Sequence, residues 1–231
     1  MTSQSLWQKY QFWLLLVTAI IIRQLPLVSI PFNWLESYFH EISHGIAALI
    51  TGGSILKIEL FTNGAGLCTT QGGWRFFISF MGYAGATFWG WGIYLLASAH
   101  QRIAQGFAVF IFLLIISSII FWVRDLLTLF ILLVLATMFL LTIRSFSGIG
   151  QNKKSSKGLI YLQKTLQLFG LLILLNSLFS PFYLLDGRHI GDGATLSSIT
   201  LIPEVVWVAI WCGLAVLALY RLSKRSYSRA I

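Results

Sequence analysis

Pro31-Phe-Asn33-Trp-Leu-Glu36-Ser-Tyr-Phe-His40-Glu41-Ile-Ser-His44-Gly-Ile-Ala47-Ala48-Leu-Ile-Thr-Gly52-Gly53 is the stretch on which the rest of the sequence turns. An apolar run that opens behind a proline, with Asn33 as N-cap, and stops at a Gly-Gly pair predicts one helix over 33–51. Its length of about 27 Å at 1.5 Å per residue is enough to cross a bilayer with little tilt. In such a helix His40 and His44 stand four residues apart on one face. Both imidazoles can then reach a single zinc ion, with Glu41 beside them to take a proton from an attacking water. The chain has only 4 histidines, so this H-E-x-x-H spacing is informative.

The surroundings of the motif set the class of protein. Of 231 residues 57% are hydrophobic, 15% aromatic and 10% charged, outside the range of soluble domains. Apolar runs recur near 12–31, 33–51, 75–98, 105–123, 125–143, 159–185 and 203–221. The expected fold is an all-α polytopic membrane protein over residues 1–231 as one unit, with about six or seven transmembrane helices. The first run lacks a small-residue cleavage site and is interrupted by Arg23, so it reads as an uncleaved span.

A net charge of +9 would suggest nucleic acid in a soluble protein. Here the basic residues gather at Arg144, Lys153, Lys154 and Lys157 and at Arg221, Lys224, Arg225 and Arg229, flanking apolar runs. That pattern marks cytoplasmic loops and a cytoplasmic tail facing the lipid bilayer, and no nucleic acid partner is expected. The Ser-, Gly- and Lys-rich stretch 145–158 reads as a cytoplasmic loop. Cys68 and Cys212 have neither disulfide nor thiolate-metal spacing.

Between the motif helix and the third run, Asn63-Gly64 separates two partly alternating apolar segments, which predicts a short β-hairpin after the second helix. This hairpin either connects two spans or offers an edge strand to an extended peptide. Gly82, Ala86 and Gly90 form a small-xxx-small stripe for close helix packing. Arg124-Asp125 marks a tight turn or a charge pair in a bent helical hairpin. Asn176 and Ser177, polar in an apolar run, suit a helix–helix hydrogen bond or a water path.

Two histidines leave a catalytic zinc site one protein ligand short. The other candidates are Glu36, Glu59, His100, Asp125, Asp186, His189, Asp192 and Glu204. Glu36 lies one turn before His40 on its face, His100 suits an interfacial position, and Asp125 suits a pairing with Arg124. Asp186 and Asp192, in Leu184-Leu-Asp-Gly-Arg-His-Ile-Gly-Asp-Gly193, follow a run broken by Pro181, where a helix interrupted at membrane depth would place an ionisable ligand. If seven segments all cross fully, these aspartates emerge on the wrong side of the motif helix. The alternatives are six crossings, a re-entrant segment, or helices broken around Pro181.

The H-E-x-x-H helix, the Gly-Gly and hairpin after it, the Gly-rich run from Met81-Gly-Tyr-Ala-Gly85 and a late Asp-Gly segment together resemble the site-2 protease family of intramembrane zinc metalloproteases, closest to its small bacterial members without accessory domains. The resemblance implies zinc held by His40, His44 and a distant aspartate, with Glu41 as general base. It also implies cleavage of a transmembrane protein substrate within or beside its membrane helix. Leu185-Asp186-Gly187 is similar to one form of the family's third-ligand motif and Gly191-Asp192-Gly193 to another, with Asp192 slightly preferred. The expected location is the cell membrane, multi-pass. Two other readings of the residues stand beside this one: a metal-binding membrane scaffold or regulator without peptidase activity, and a transporter whose intramembrane His and Asp carry ions.

Overall fold

The computed structural model describes residues 3–147 and 156–228. Lys153, Lys154 and Arg229 and most of the loop expected over 145–158 lie outside them. Helix α1 (Ser3–Gln24) is separated by Leu25 alone from α2 (Pro26–Ile50), which leaves at 107° to it. The expected start of the motif helix behind Pro31 is therefore corrected. Pro26 occupies the first turn, where its missing N–H costs nothing and its fixed φ suits the helix. Pro31 sits inside the helix. Asn33 is no cap: its side-chain oxygen accepts from Asn176 Nδ2 at 3.0 Å. The expected stop holds, with Gly52 at φ +83° and the Gly53 N–H returning to the Ala48 carbonyl at 2.8 Å.

Strands β1 (Ser54–Leu60) and β2 (Gly66–Gln71) form the expected hairpin, antiparallel, with Leu60 opposite Gly66, Ile58 opposite Cys68 and a slip between Ile55 and Lys57. Its turn is wider than a two-residue Asn-Gly loop. The Phe61 N–H reaches the Ala65 carbonyl at 2.9 Å, and Asn63 Oδ1 accepts from the Ala65 N–H at 3.0 Å. The hairpin folds back on the bundle. Ile55, Ile58 and Leu60 are buried, and the Leu60 N–H donates to Thr128 Oγ1 at 2.9 Å.

Helix α3 (Arg75–Ala99) is the central post, packed chiefly on α2 and α6 (Ser156–Phe179). The small-residue stripe makes this possible: a Cβ on Gly90 would stand 2.9 Å from the Gly170 carbonyl oxygen of α6. His100 caps α4 (Gln101–Trp122) by accepting the Arg102 N–H at 3.2 Å. The expected pairing of Arg124 with Asp125 is replaced by two separate caps. Arg124 donates to the Phe121 and Val123 carbonyls that end α4, and Asp125 Oδ1 accepts the Thr128 N–H that opens α5 (Leu126–Ser147). Each charge thereby serves the helix dipole end of opposite sign.

After Phe179 the chain tightens into a 3-10 turn, Ser180–Leu185, carrying Pro181. A short helix, α7 (Asp192–Thr200), follows before α8 (Glu204–Ser228). The segment containing the two aspartates is thus not a plain loop. α7 folds in against α3 and α8, which removes the depth conflict without another full crossing. Among the described residues four helices are long and apolar enough to span a membrane: α4, α5, α6 with its 3-10 extension, and α8. The bent α1–α2 pair makes five if it forms one span. The six or seven expected from apolar runs are not reached on these criteria, since glycine, tryptophan and tyrosine lower the mean hydropathy of α3 and α1–α2 is broken.

Candidate metal centre

One turn of α2 brings the two imidazoles together, with ring centroids 4.7 Å apart and planes at 80°. His44 Nδ1 lies 2.7 Å from the Ile78 carbonyl at the start of α3. An N–H there fixes the tautomer and leaves Nε2 free to ligate. Its Nε2 is 3.0 Å from His40 Nε2, and Asp192 Oδ2 is 3.1 Å from His40 Nε2 and 3.2 Å from His44 Nε2. Two nitrogens and one carboxylate oxygen thus form a small triangle. Zinc bonds of about 2.0–2.2 Å to such donors span separations of this order, so the set fits one zinc ion with a coordination position to spare. Among the described residues this is the one group of three or more His, Cys, Asp or Glu able to hold a metal.

Both flanks of Asp192 explain its aim. Gly191 has φ +106° and ψ −165°, a conformation open essentially to glycine alone, which turns the chain inward at the start of α7. Behind it a Cβ on Gly193 would stand 2.6 Å from Glu204 Oε1. Burial opposes the charge on Asp192, but the two imidazoles outweigh it and hold the carboxyl below the usual carboxylate range.

Asp186 goes elsewhere. Its carboxylate accepts the Arg188 N–H at 2.9 Å and pairs with the guanidinium, which holds the carboxyl below its ordinary value. It faces solvent, away from the histidines. His189, also exposed, lies 3.6 Å from Glu204 Oε2, and Glu36 accepts from Ser180 Oγ at 3.1 Å. Glu59 pairs with Lys57 at 2.9 Å. Asn176 takes the Arg23 guanidinium at 3.1 Å as well as Asn33, so it joins helices.

Glu41 is buried beside the triangle and interacts electrostatically with His40, His44 and Asp192. Its carboxylate accepts the Cys68 main-chain N–H from β2. Burial and this carboxylate push the Cys68 thiol upward. The start of β2 lies directly on Glu41, since a Cβ on Gly66 would stand 2.6 Å from Glu41 Oε1.

Several contributors went unread in the sequence. A Cβ on Gly82 would stand 2.6 Å from His44 Nε2 and 2.7 Å from His40 Cε1, so this member of the packing stripe makes room for the imidazoles themselves. Tyr83 lies edge-on to His40 at 4.4 Å and against Trp211 at 4.8 Å. Two clefts meet at His40, Glu41, Gly66 and Tyr83. One, of about 690 Å³, runs past Glu36, Asn176 and Arg188, and the other, of about 550 Å³, past His44, Cys68, Arg75 and Asp192. The Ile78 carbonyl carries no sequence signal at all, because any residue could supply it.

The sequence model of the peptidase M50B-like family matches residues 13–221. The chain belongs to that family. It is accordingly a member of the site-2 proteases, a family of zinc-dependent intramembrane metalloproteases acting on membrane proteins, and its apolar helices make it a multi-pass membrane protein. Comparison with curated proteins and with solved structures gave no match.

Proposed function

We propose that this M50B-like chain is a zinc endopeptidase of the cell membrane that cleaves peptide bonds in or next to transmembrane segments. The supporting observation is the convergence of His40, His44 and Asp192 from α2 and α7, with Glu41 buried alongside them where two clefts meet. In this reading His40, His44 and Asp192 hold the ion. When bound, zinc supplies Lewis acidity toward water and toward the scissile carbonyl.

The chain's own part begins with Glu41. One of its oxygens is engaged by the Cys68 N–H, which orients the carboxylate and leaves the other oxygen to take a proton from the attacking water. As the water oxygen bonds to the peptide carbon and the C–N bond breaks, Glu41 passes that proton to the departing nitrogen. The outer edge of β2 lines the same cleft as Asp192. It can receive an unwound substrate segment by main-chain hydrogen bonds, which also explains how a peptide bond shielded within a helix becomes reachable.

The test pairs metal content with cleavage. Elemental analysis of purified protein should find near-stoichiometric zinc in the native chain. Glu41→Gln should retain it while cleavage of a membrane-embedded substrate falls by about 10²- to 10⁴-fold. A folded protein that takes up no zinc from excess metal would sink the reading. Equal cleavage by Glu41→Gln would remove Glu41 as base.

A further inference from the structure

The end of the bundle away from the histidines holds a separate cleft. α1 begins there, α3 and α8 end there and α6 begins there. Between them lies a cleft of about 370 Å³, lined by Gln11, Gln163, Lys164, Gln167, Arg225 and Ser226 among others. Its walls are tied by hydrogen bonds across helices: Gln11 Nε2 to Gln167 Oε1 at 2.7 Å and Gln163 Nε2 to the Ala97 carbonyl at 2.8 Å. The cleft is thus part of the packed structure. Its two charged side chains are both cations.

No carboxylate side chain of the protein can answer them. All 7 Asp and Glu lie toward the other end. Glu36 and Glu41 are in α2, Glu59 is in β1, Asp125 separates α4 from α5, and Asp186, Asp192 and Glu204 follow α6. Among the described residues neither Lys164 nor Arg225 enters a salt bridge. Lys164 is partly buried in the third turn of a spanning helix, where a cation without a counter-charge is costly. An anion seated between ammonium, guanidinium and amide N–H donors removes that cost, and a phosphate offers several oxygens to such a set. A basic pocket between spanning helices, at the end where cations flank the apolar runs, is also where anionic headgroups collect.

We propose that this cleft binds a phosphate group, carried by the headgroup of an anionic phospholipid or by a soluble phosphorylated metabolite. The site is independent of the peptidase reading, since it shares no residue with the metal centre.

Calorimetric titration of the purified full chain in neutral detergent tests it, using dihexanoyl phosphatidylglycerol, dihexanoyl phosphatidylcholine and inorganic pyrophosphate as separate probes. Saturable binding of phosphatidylglycerol but not phosphatidylcholine is expected. It should weaken by about tenfold in Lys164→Gln and in Arg225→Gln. It should be unchanged in Arg144→Gln, a cation at the same end that does not line the cleft. Pyrophosphate binding with the same dependence would assign a soluble ligand, and binding of the lipid alone would assign the headgroup. No saturable binding of either anion, equal binding of phosphatidylcholine, or an equal loss in Arg144→Gln would overturn the proposal. Arg225 is exposed near the end of α8, so its variant decides the matter even where Lys164→Gln compromises folding.

Discussion

In α2 two ligand candidates ride one continuous helix of 25 residues, buried along most of its second half. The third reaches them from α7, a helix of 9 residues suspended between a 3-10 turn and α8. The histidines keep their mutual spacing as long as the helix exists, because 3.6 residues per turn fixes it. Asp192 has no such guarantee. Its place depends on a glycine turned to φ +106°, on Gly193 lying against Glu204, and on α7 docking against α3 and α8. A binding centre can therefore be robust on one side and conditional on the other.

The largest expected effect breaks the triangle outright. His44→Ala and Asp192→Asn should each lower zinc content by tenfold or more, on the order of the losses seen when a ligand's support is removed, whereas Asp186→Ala should leave it unchanged. Elemental analysis of the three proteins decides it, and loss in Asp186→Ala instead would relocate the third ligand. Next comes the wall behind the histidines. Gly82→Ala would put a methyl group against His44 Nε2 and should weaken zinc binding by about 10- to 100-fold. Gly92→Ala, with nothing within 4 Å of its added carbon, serves as the control. A chelator competition assay reads both, and equal behaviour would show that α3 has room to yield.

A third variant probes the conditional arm alone. Gly191→Ala should cost about 1–3 kcal/mol of strain and weaken metal binding by about tenfold, with helical circular dichroism unchanged. Gly187→Ala, at φ +82° in open space, should leave zinc affinity at the native value. The smallest effect belongs to the sturdy arm. Tyr38→Phe removes the buried 2.9 Å hydrogen bond to Ser118 Oγ and should lower stability by about 0.5–1.5 kcal/mol, read in a denaturation midpoint, with metal affinity unaltered. A loss of affinity there would mean that α2 is less self-sufficient than its continuity implies.

What could be read ahead of the structure follows the same division. The H-E-x-x-H spacing, the Gly-Gly stop and the Asn-Gly hairpin are local, and each appears where the residues put it. The start of α2 was misread because Pro26 and Pro31 are both plausible openings, and only packing against α6, through Asn33 and Asn176, shows the second proline inside the helix. Arg124 and Asp125 looked like partners because they are adjacent, yet each answers a different helix end. Gly82 was legible as a packing residue, but that it packs on the imidazoles depends on the register between α2 and α3.

By itself the sequence determined a helix with two histidines four residues apart and a glutamate next to the first, an apolar setting for it and a hairpin beside it. These depend on backbone geometry over a few residues. It left Asp186 and Asp192 nearly equivalent, six positions apart, each preceding a glycine. Tertiary structure decided between their positions: Arg188 lies within local reach of Asp186 and holds it in solvent, while the Gly191 turn and the docking of α7 on α3 and α8 carry Asp192 to the histidines. The arrival of Asp192 rests on contact between α7 and α3, segments far apart in the chain, which no local pattern encodes.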